Sequence, residues 1–587
     1  MIRLSAAALL FAACAAPALA QDDPLAPLSE TELEPVEPTP QQPTVEPAPT
    51  PTPTPSPPVA RPIVVPKDWR GVFSAIRSSD WGSAQAGIAA LPDDLLRSVA
   101  RAELYTARNS PRVELQPLLS LLNQAPDLPQ AGQILRMALA RGAAEAELPA
   151  VPVAARMVPL GSAPRRHRGR PVTGEPAADA LRTALQPLIE ANSAPEAEAL
   201  YVQSAPLLSY EARAEAAQRV AWIYYVTGRD ADARRVAETG LAGAVGEWAG
   251  HAHWITGLAS WRMNDCNAAT QHFRAVATGR SESELAAAGY YWAARSEQAC
   301  RRPQAVEPLL RAAARSAESF YGLLARETLG MDKTLPGGRL PAPGRIESLP
   351  NVRRALRLAE IGEFRLADEM LRHQAAIGPA SDHLALIALT QRIDFAGVQY
   401  FLAHNGPSGT RVPAVARFPL PRWQPAAGWR IDPALAFAHA RQESDFRPGV
   451  VSPAGAVGLM QVRPGTAGDF ARARGTAVGN LAHPPTNLEY GQSFIELMRR
   501  SPYTQGQLLK VIAAYNAGPV PVSRWNYIND KGDPLLWIES LPYWETRYYV
   551  PAIMRNLWVY QQLEGSSQPS LKALAQHQWP DFPVRRR

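Results

Sequence analysis

Three stretches of this chain, residues 216–228, 250–264 and 285–299, have helical spacing of small and apolar residues. Each closes in a turn, at Gly228-Arg229-Asp230, Asn264-Asp265-Cys266 and Ala299-Cys300-Arg301. A helix and its turn therefore recur about every 35 to 37 residues, the signature of stacked helix pairs. One such pair cannot bury its own apolar face, so the recurrence forces neighbours to stack, with alanines at the close contacts and Trp222, Trp254, Trp261 and Trp292 as large fillers. The fold expected is all-α: a long α-superhelical array of helix pairs over residues 67–340, interrupted near 149–176 by a proline-rich basic loop. A small helical linker domain is expected over 341–420 and a last domain over 421–575.

The 57 prolines, against 39 glycines, are spread unevenly. Residues 21–66 hold fifteen of them, with seven acids and one arginine, a composition that cannot bury a core and reads as a stiff polyproline-like spacer. Residues 1–20 pair Arg3 with an apolar run and end in Ala18-Leu19-Ala20, the pattern of a signal peptide. Export to the periplasm is expected, with Cys14 as an alternative point of lipid anchoring. The remaining cysteines, Cys266 and Cys300, sit in equivalent turns of adjacent helix pairs, and either a disulfide or two buried thiols fits that placement. No later run reaches the roughly 18 to 20 apolar residues of a membrane span. The net charge of +6 is not clustered enough for a nucleic-acid binder. The one basic run, residues 164–170, reads as a solvated loop.

The readable chemistry lies beyond Pro425. Asp432-Pro433 is a helix start, an N-cap followed by proline at the first helical position, and the helix should run through Arg441 to Glu443-Ser444 and be stopped by Pro448-Gly449. Glu443 then sits in the last turn, where the helix dipole disfavours its charge by only about 0.3 to 1 kcal/mol. Burial must supply the rest if this carboxyl is to hold a proton near neutrality. The segment 452–461, small and apolar apart from Ser452 and Gln461, is a suitable wall. Tyr515 falls near the end of a helix expected over 504–516 and closed by Gly518. No His-x-x-x-His, Cys-x-x-Cys, phosphate loop or dinucleotide fingerprint is present, so no metal or cofactor is expected, and His439 reads as ordinary packing.

Four segments in order, Arg441-Gln442-Glu443-Ser444, Ser452 to Pro464 with Gly458-Leu459-Met460-Gln461, Ala513-Ala514-Tyr515-Asn516-Ala517-Gly518, and Glu539-Ser540-Leu541-Pro542 with Glu545-Thr546-Arg547-Tyr548, resemble the soluble lytic transglycosylases of bacterial cell-wall metabolism. The helical array resembles the same family's superhelix and, loosely, tetratricopeptide-type repeats. The resemblance implies a lysozyme-like catalytic domain acting as a monomer on peptidoglycan glycan strands, cleaving between N-acetylmuramic acid and N-acetylglucosamine and leaving a 1,6-anhydro sugar. It implies Glu443 as the catalytic acid and Ser452, Gln461, Tyr515, Asn516 and Glu545 at the substrate; by their own chemistry Met460 and Tyr548 suit either a sugar face or packing, and Trp525, Trp537, Trp544 and Trp558 supply aromatic area enough to line a groove. The residues fit a mechanism with one carboxyl, since neither Asp445 nor Asp469 is placed as a second acid and Glu545 reads as a hydrogen-bonding support. A goose-type-like muramidase using water, or a helical scaffold with an inactive last domain, are the alternatives.

Overall fold

The computed structural model describes residues 62–161, 164–279 and 283–583; the signal-peptide reading, the spacer up to residue 61 and Cys14 lie outside them. The described residues form twenty-six α-helices and a single two-stranded antiparallel sheet in which Val158–Pro159 pairs with Asn405–Gly406. No helix among them is long and apolar enough to cross a membrane.

The recurring turns do what their spacing predicts. Tyr210–Val226 pairs with Asp230–Thr239, Glu247–Arg262 with Cys266–Thr278, and Ser283–Ala299 with Val306–Ala314. Each reversal passes through a left-handed residue, Gly228, Asn264 or Arg301 (φ 80°, 62° and 58°). The helices approach closely because the contact residues are small: a Cβ on Gly289 would lie 2.8 Å from the Phe273 carbonyl oxygen. Asp265 caps its helix by accepting from the Ala268 amide. The thiols are oxidised: Cys266 and Cys300 form a disulfide with Cα atoms 5.6 Å apart, joining the start of one helix to the end of its antiparallel neighbour. Closing a loop of this length stabilises by about 3 to 4 kcal/mol.

Two apolar cores organise the chain. One is continuous from Ala178 to Phe582, so the helix pairs run without a break into the last domain. The other joins the first helices, Trp69–Arg77 to Ala131–Leu139, to the helices between Pro350 and His404. Packing thus sets residues 69–138 beside 346–416, although a long sequence separates them. Ion pairs stitch this second core at its edges, Arg354 to Asp127 (2.8 Å), Arg357 to Asp94 (3.0 Å) and Arg77 to Glu363 (2.6 Å), and the Asn351 side chain donates to the Asp127 carbonyl.

The basic run is not a solvated loop. Arg166 is buried, its guanidinium forked onto Glu539 at 2.6 and 3.0 Å. Tyr321 donates to the same carboxylate, and the cation lies 4.7 Å from the Trp254 ring centroid. Arg165 donates to the Tyr400 hydroxyl, Arg555 to the Pro164 carbonyl and the Trp248 indole to the Arg170 carbonyl. The loop is a strap between the helix pairs and the last domain. Charge alone suggested solvent; the partner that overturns this is 373 residues away.

Arg166→Met leaves the Glu539 charge buried without its fork and should cost about 3 to 5 kcal/mol. Arg166→Met with Glu539→Leu should recover most of that loss, as measured by the denaturation midpoints of the single and double variants.

Candidate active site

The helix Pro433–Ser444 is held from its first residue. Asp432 accepts from the Ala434 amide and from Gln561, and proline occupies the next position. Every residue from Ala434 to Arg441 is buried, so this helix crosses the core rather than lying on it. It ends at Ser444, where the sequence places its last turn, because Asp445 and Phe446 both turn left-handed (φ 51° and 60°). Asp445 faces away towards Arg165, 4.0 Å distant. Arg441 is buried too, donating to the Asn556 side chain and the Arg417 carbonyl, with its guanidinium over Phe418. Its role is to fix the helix.

Glu443 remains partly accessible while protein crowds its carboxyl. Burial raises its pKa to about 7, against a hydrogen bond from Tyr549 that lowers it; the nearby Glu545 charge raises it further. The Tyr549 hydroxyl donates to Oε1 at 2.5 Å. The same hydroxyl lies 2.7 Å from His439 Nδ1, one helical turn before Glu443. His439 is not mere filler: it contacts the acid's partner, and its ring sits 4.4 Å from that of Tyr515.

The wall opposite is a tight loop. Ser452 spends its hydroxyl oxygen accepting from the Ala456 amide, and Val457 bridges to Val451 and Val462. Ser444 ties the acid helix to this loop by donating to the Leu459 carbonyl. Gly458, at φ 81°, leaves no room for a side chain: a Cβ there would lie 2.4 Å from Asn487 Nδ2 and 2.5 Å from the Leu481 carbonyl. Asn487 is fully buried; it donates to the Val457 and Leu481 carbonyls and accepts from the Met460 amide, each at 2.8 Å. Gln461 is left-handed (φ 46°) and donates to the Gly458 carbonyl.

Several expected residues converge with Glu443 and others take different places. Tyr515 begins no bond to Glu443; it donates to the Met460 carbonyl at 2.7 Å, from a helix that starts at Leu508 rather than 504. The Met460 side chain is fully buried against Gly491, so what it presents is backbone. Asn516 donates to Glu545 at 2.8 Å and accepts from Thr546 at 2.6 Å, which sets the Glu545 carboxylate at the site's edge. Tyr548 stacks edge-on to Trp544 (3.7 Å) and faces Arg166, on another side of its helix from Tyr549. Trp525, Trp537 and Trp558 are core, leaving Trp544 as the partly exposed tryptophan of the four. Tyr549 and Asn487 were not singled out, and His439 was read as packing. Helical spacing carried the signal for two of them, since 439 and 443, and 545 and 549, each share a helix face.

Residues 423–538 match the family model described as Transglycosylase SLT domain. The segment is similar to the soluble lytic murein transglycosylases of Escherichia coli K12, 35% identical over 153 residues, and of Salmonella typhimurium LT2, 37% identical over 149 residues. These matches cover 25% and 24% of this chain and only 23% and 22% of the relatives' own lengths. The fold extends the likeness: the lytic transglycosylase Slt of Pseudomonas aeruginosa, solved as an inactive glutamate-to-glutamine mutant, aligns over 85% of this chain and 86% of its own with a TM-score of 0.50 at 17% identity.

Asn487→Ala strands the Met460 amide and two carbonyls in the interior, which should cost about 3 kcal/mol or more. Thermal melts of the variant, with hydrogen exchange at residues 457–460 as the local readout, check this.

Proposed function

We propose that the chain is an exported lytic murein transglycosylase that cuts the β-1,4 bond between N-acetylmuramic acid and N-acetylglucosamine, with residues 421–575 as its catalytic domain, residues 67–340 and 341–420 as its superhelical and linker domains, and peptidoglycan strands as its substrate. The observation that carries the reading is Glu443, a desolvated carboxyl titrating near pH 7 inside a domain of the SLT family. A general acid is most effective when its pKa lies close to the working pH.

In the proposed reaction protonated Glu443 gives its proton to the glycosidic oxygen as the bond from C1 breaks. The carboxylate then takes the proton of the sugar's own C6 hydroxyl as O6 bonds to C1, which closes the 1,6-anhydro ring and returns the acid to its starting form. Such a cycle needs no second carboxylate, whereas a retaining glycosidase with a protein nucleophile needs one about 5 to 5.5 Å from the acid. The neighbouring acids are committed elsewhere, Asp445 towards Arg165, Asp469 to Arg472 and Glu545 to Asn516. This favours internal attack over the water-using muramidase. Ser452, Gln461, Tyr515, Asn516, Glu545 and Tyr548 would line the glycan, with Met460 acting through its carbonyl on Tyr515.

Mass spectrometry of digested sacculi tests the reading: anhydro ends, lighter by one water than reducing ends, are expected. Reducing ends would make the protein a hydrolase, and no products at all would make it a scaffold. Glu443→Gln should slow product release at least about 100-fold. Activity should fall as pH rises through about 7, where the acid loses its proton, and a pH–rate profile on soluble glycan oligomers reads that limb.

A further inference from the structure

Tyr549 has one hydroxyl proton and two neighbours that compete for it, Glu443 Oε1 at 2.5 Å and His439 Nδ1 at 2.7 Å. The direction of this short chain decides what the acid can do. If Nδ1 accepts, the phenol proton is drawn away from Glu443, and the carboxyl's own proton is free to point inward at the phenol oxygen. If Nδ1 donates, the phenol oxygen is occupied, its proton is committed to Oε1, and any proton that Glu443 carries must sit on Oε2. Among the described residues Oε2 has no hydrogen-bond partner, so it is the oxygen left for a ligand.

The surroundings select the second arrangement. His439 is buried in an apolar helix and pressed against the Tyr515 ring; burial holds its pKa down to about 3, so it carries one N–H. No acceptor meets Nε2 among the described residues, whereas Nδ1 has the phenol oxygen before it. When Glu443 is ionised its oxygens can only accept, so the single phenol proton lies towards Oε1, and a nitrogen 2.7 Å from the phenol oxygen must then donate, which places the hydrogen on Nδ1. The titratable groups facing Glu443 are Tyr549 and Glu545 from the helix Trp544–Leu563, Tyr515 from Leu508–Ala517, and His439 from its own helix. None of them is a cation that would pull the proton off the acid.

We infer that His439 is a positioning residue for the reaction: by donating from Nδ1 to Tyr549 it aims the phenol proton at Glu443 Oε1 and reserves Oε2 for the proton delivered to the substrate. This rests on Glu443 being the acid. It gives the imidazole a task that its distance from any ligand would otherwise hide.

His439→Leu removes the donor and His439→Asn keeps one, because asparagine Nδ2 stands where imidazole Nδ1 does. In His439→Leu the phenol can accept from neutral Glu443, so the pH–rate limb of Glu443 should move up by about one pH unit and the maximal rate should fall about tenfold at unchanged KM, the effect of one hydrogen bond. His439→Asn should stay within about twofold of the parent, and in a Tyr549→Phe background His439→Leu should move the limb no further. Equal behaviour of the Leu and Asn variants, or an undiminished effect in the Tyr549→Phe background, overturns the assignment. Infrared difference spectra of the Glu443 carboxyl, stepped in pH against Glu443→Gln, read the same shift without turnover. A parent that cuts no glycan therefore refutes the proposed function while still deciding the role of His439.

Discussion

A carboxyl keeps its proton near neutral pH only where it is held away from water and from cations, and the last domain gives Glu443 such a place. The helix carrying Glu443 is buried from Ala434 to Arg441, and burial of the carboxyl is the largest cause of its raised pKa. The cations on or near this helix are turned elsewhere. Arg441, two residues before the acid, is led off to Asn556 and the Arg417 carbonyl, and Arg165 is taken by Asp445 and Tyr400. A left-handed step at Asp445 makes that separation possible by ending the helix directly after Ser444.

The loop facing the acid depends on the same economy of space. Gly458 brings its backbone against Asn487 and Leu481, and Asn487 satisfies three backbone groups that would otherwise be orphaned in the interior. Ser444 then fastens the loop to the acid helix. Tyr515, although aimed at the site, is fastened to the same loop through the Met460 carbonyl, so three segments distant in sequence are fixed relative to one carboxyl.

Much of this was legible in the sequence. The helix pairs, their left-handed turns, the helix start at Asp432 and the need for burial around Glu443 all follow from local spacing and elementary electrostatics. The disulfide was one of two readings that the turn positions allowed. What local pattern could not deliver was long-range pairing. Arg166 looked like solvated charge until Glu539 met it from the far end of the chain. Tyr549, the neighbour of Tyr548, is the residue that touches Glu443, because a motif names residues while only helix geometry decides which face each takes. Three of four candidate groove tryptophans proved to be core, since a bulky aromatic serves a cavity as readily as a sugar.

The second core carries a consequence for how the chain is made. Its first helices find their partners only much later in the sequence: Asp127 waits for Arg354, 227 residues on, and Arg70 for the Ile361 carbonyl, 291 residues on. Until that stretch has emerged, the apolar side of the first five helices stands bare, and loop closure over such spans is slow. The nascent protein therefore carries a sticky leading end throughout most of its synthesis, the condition under which holding chaperones earn their place.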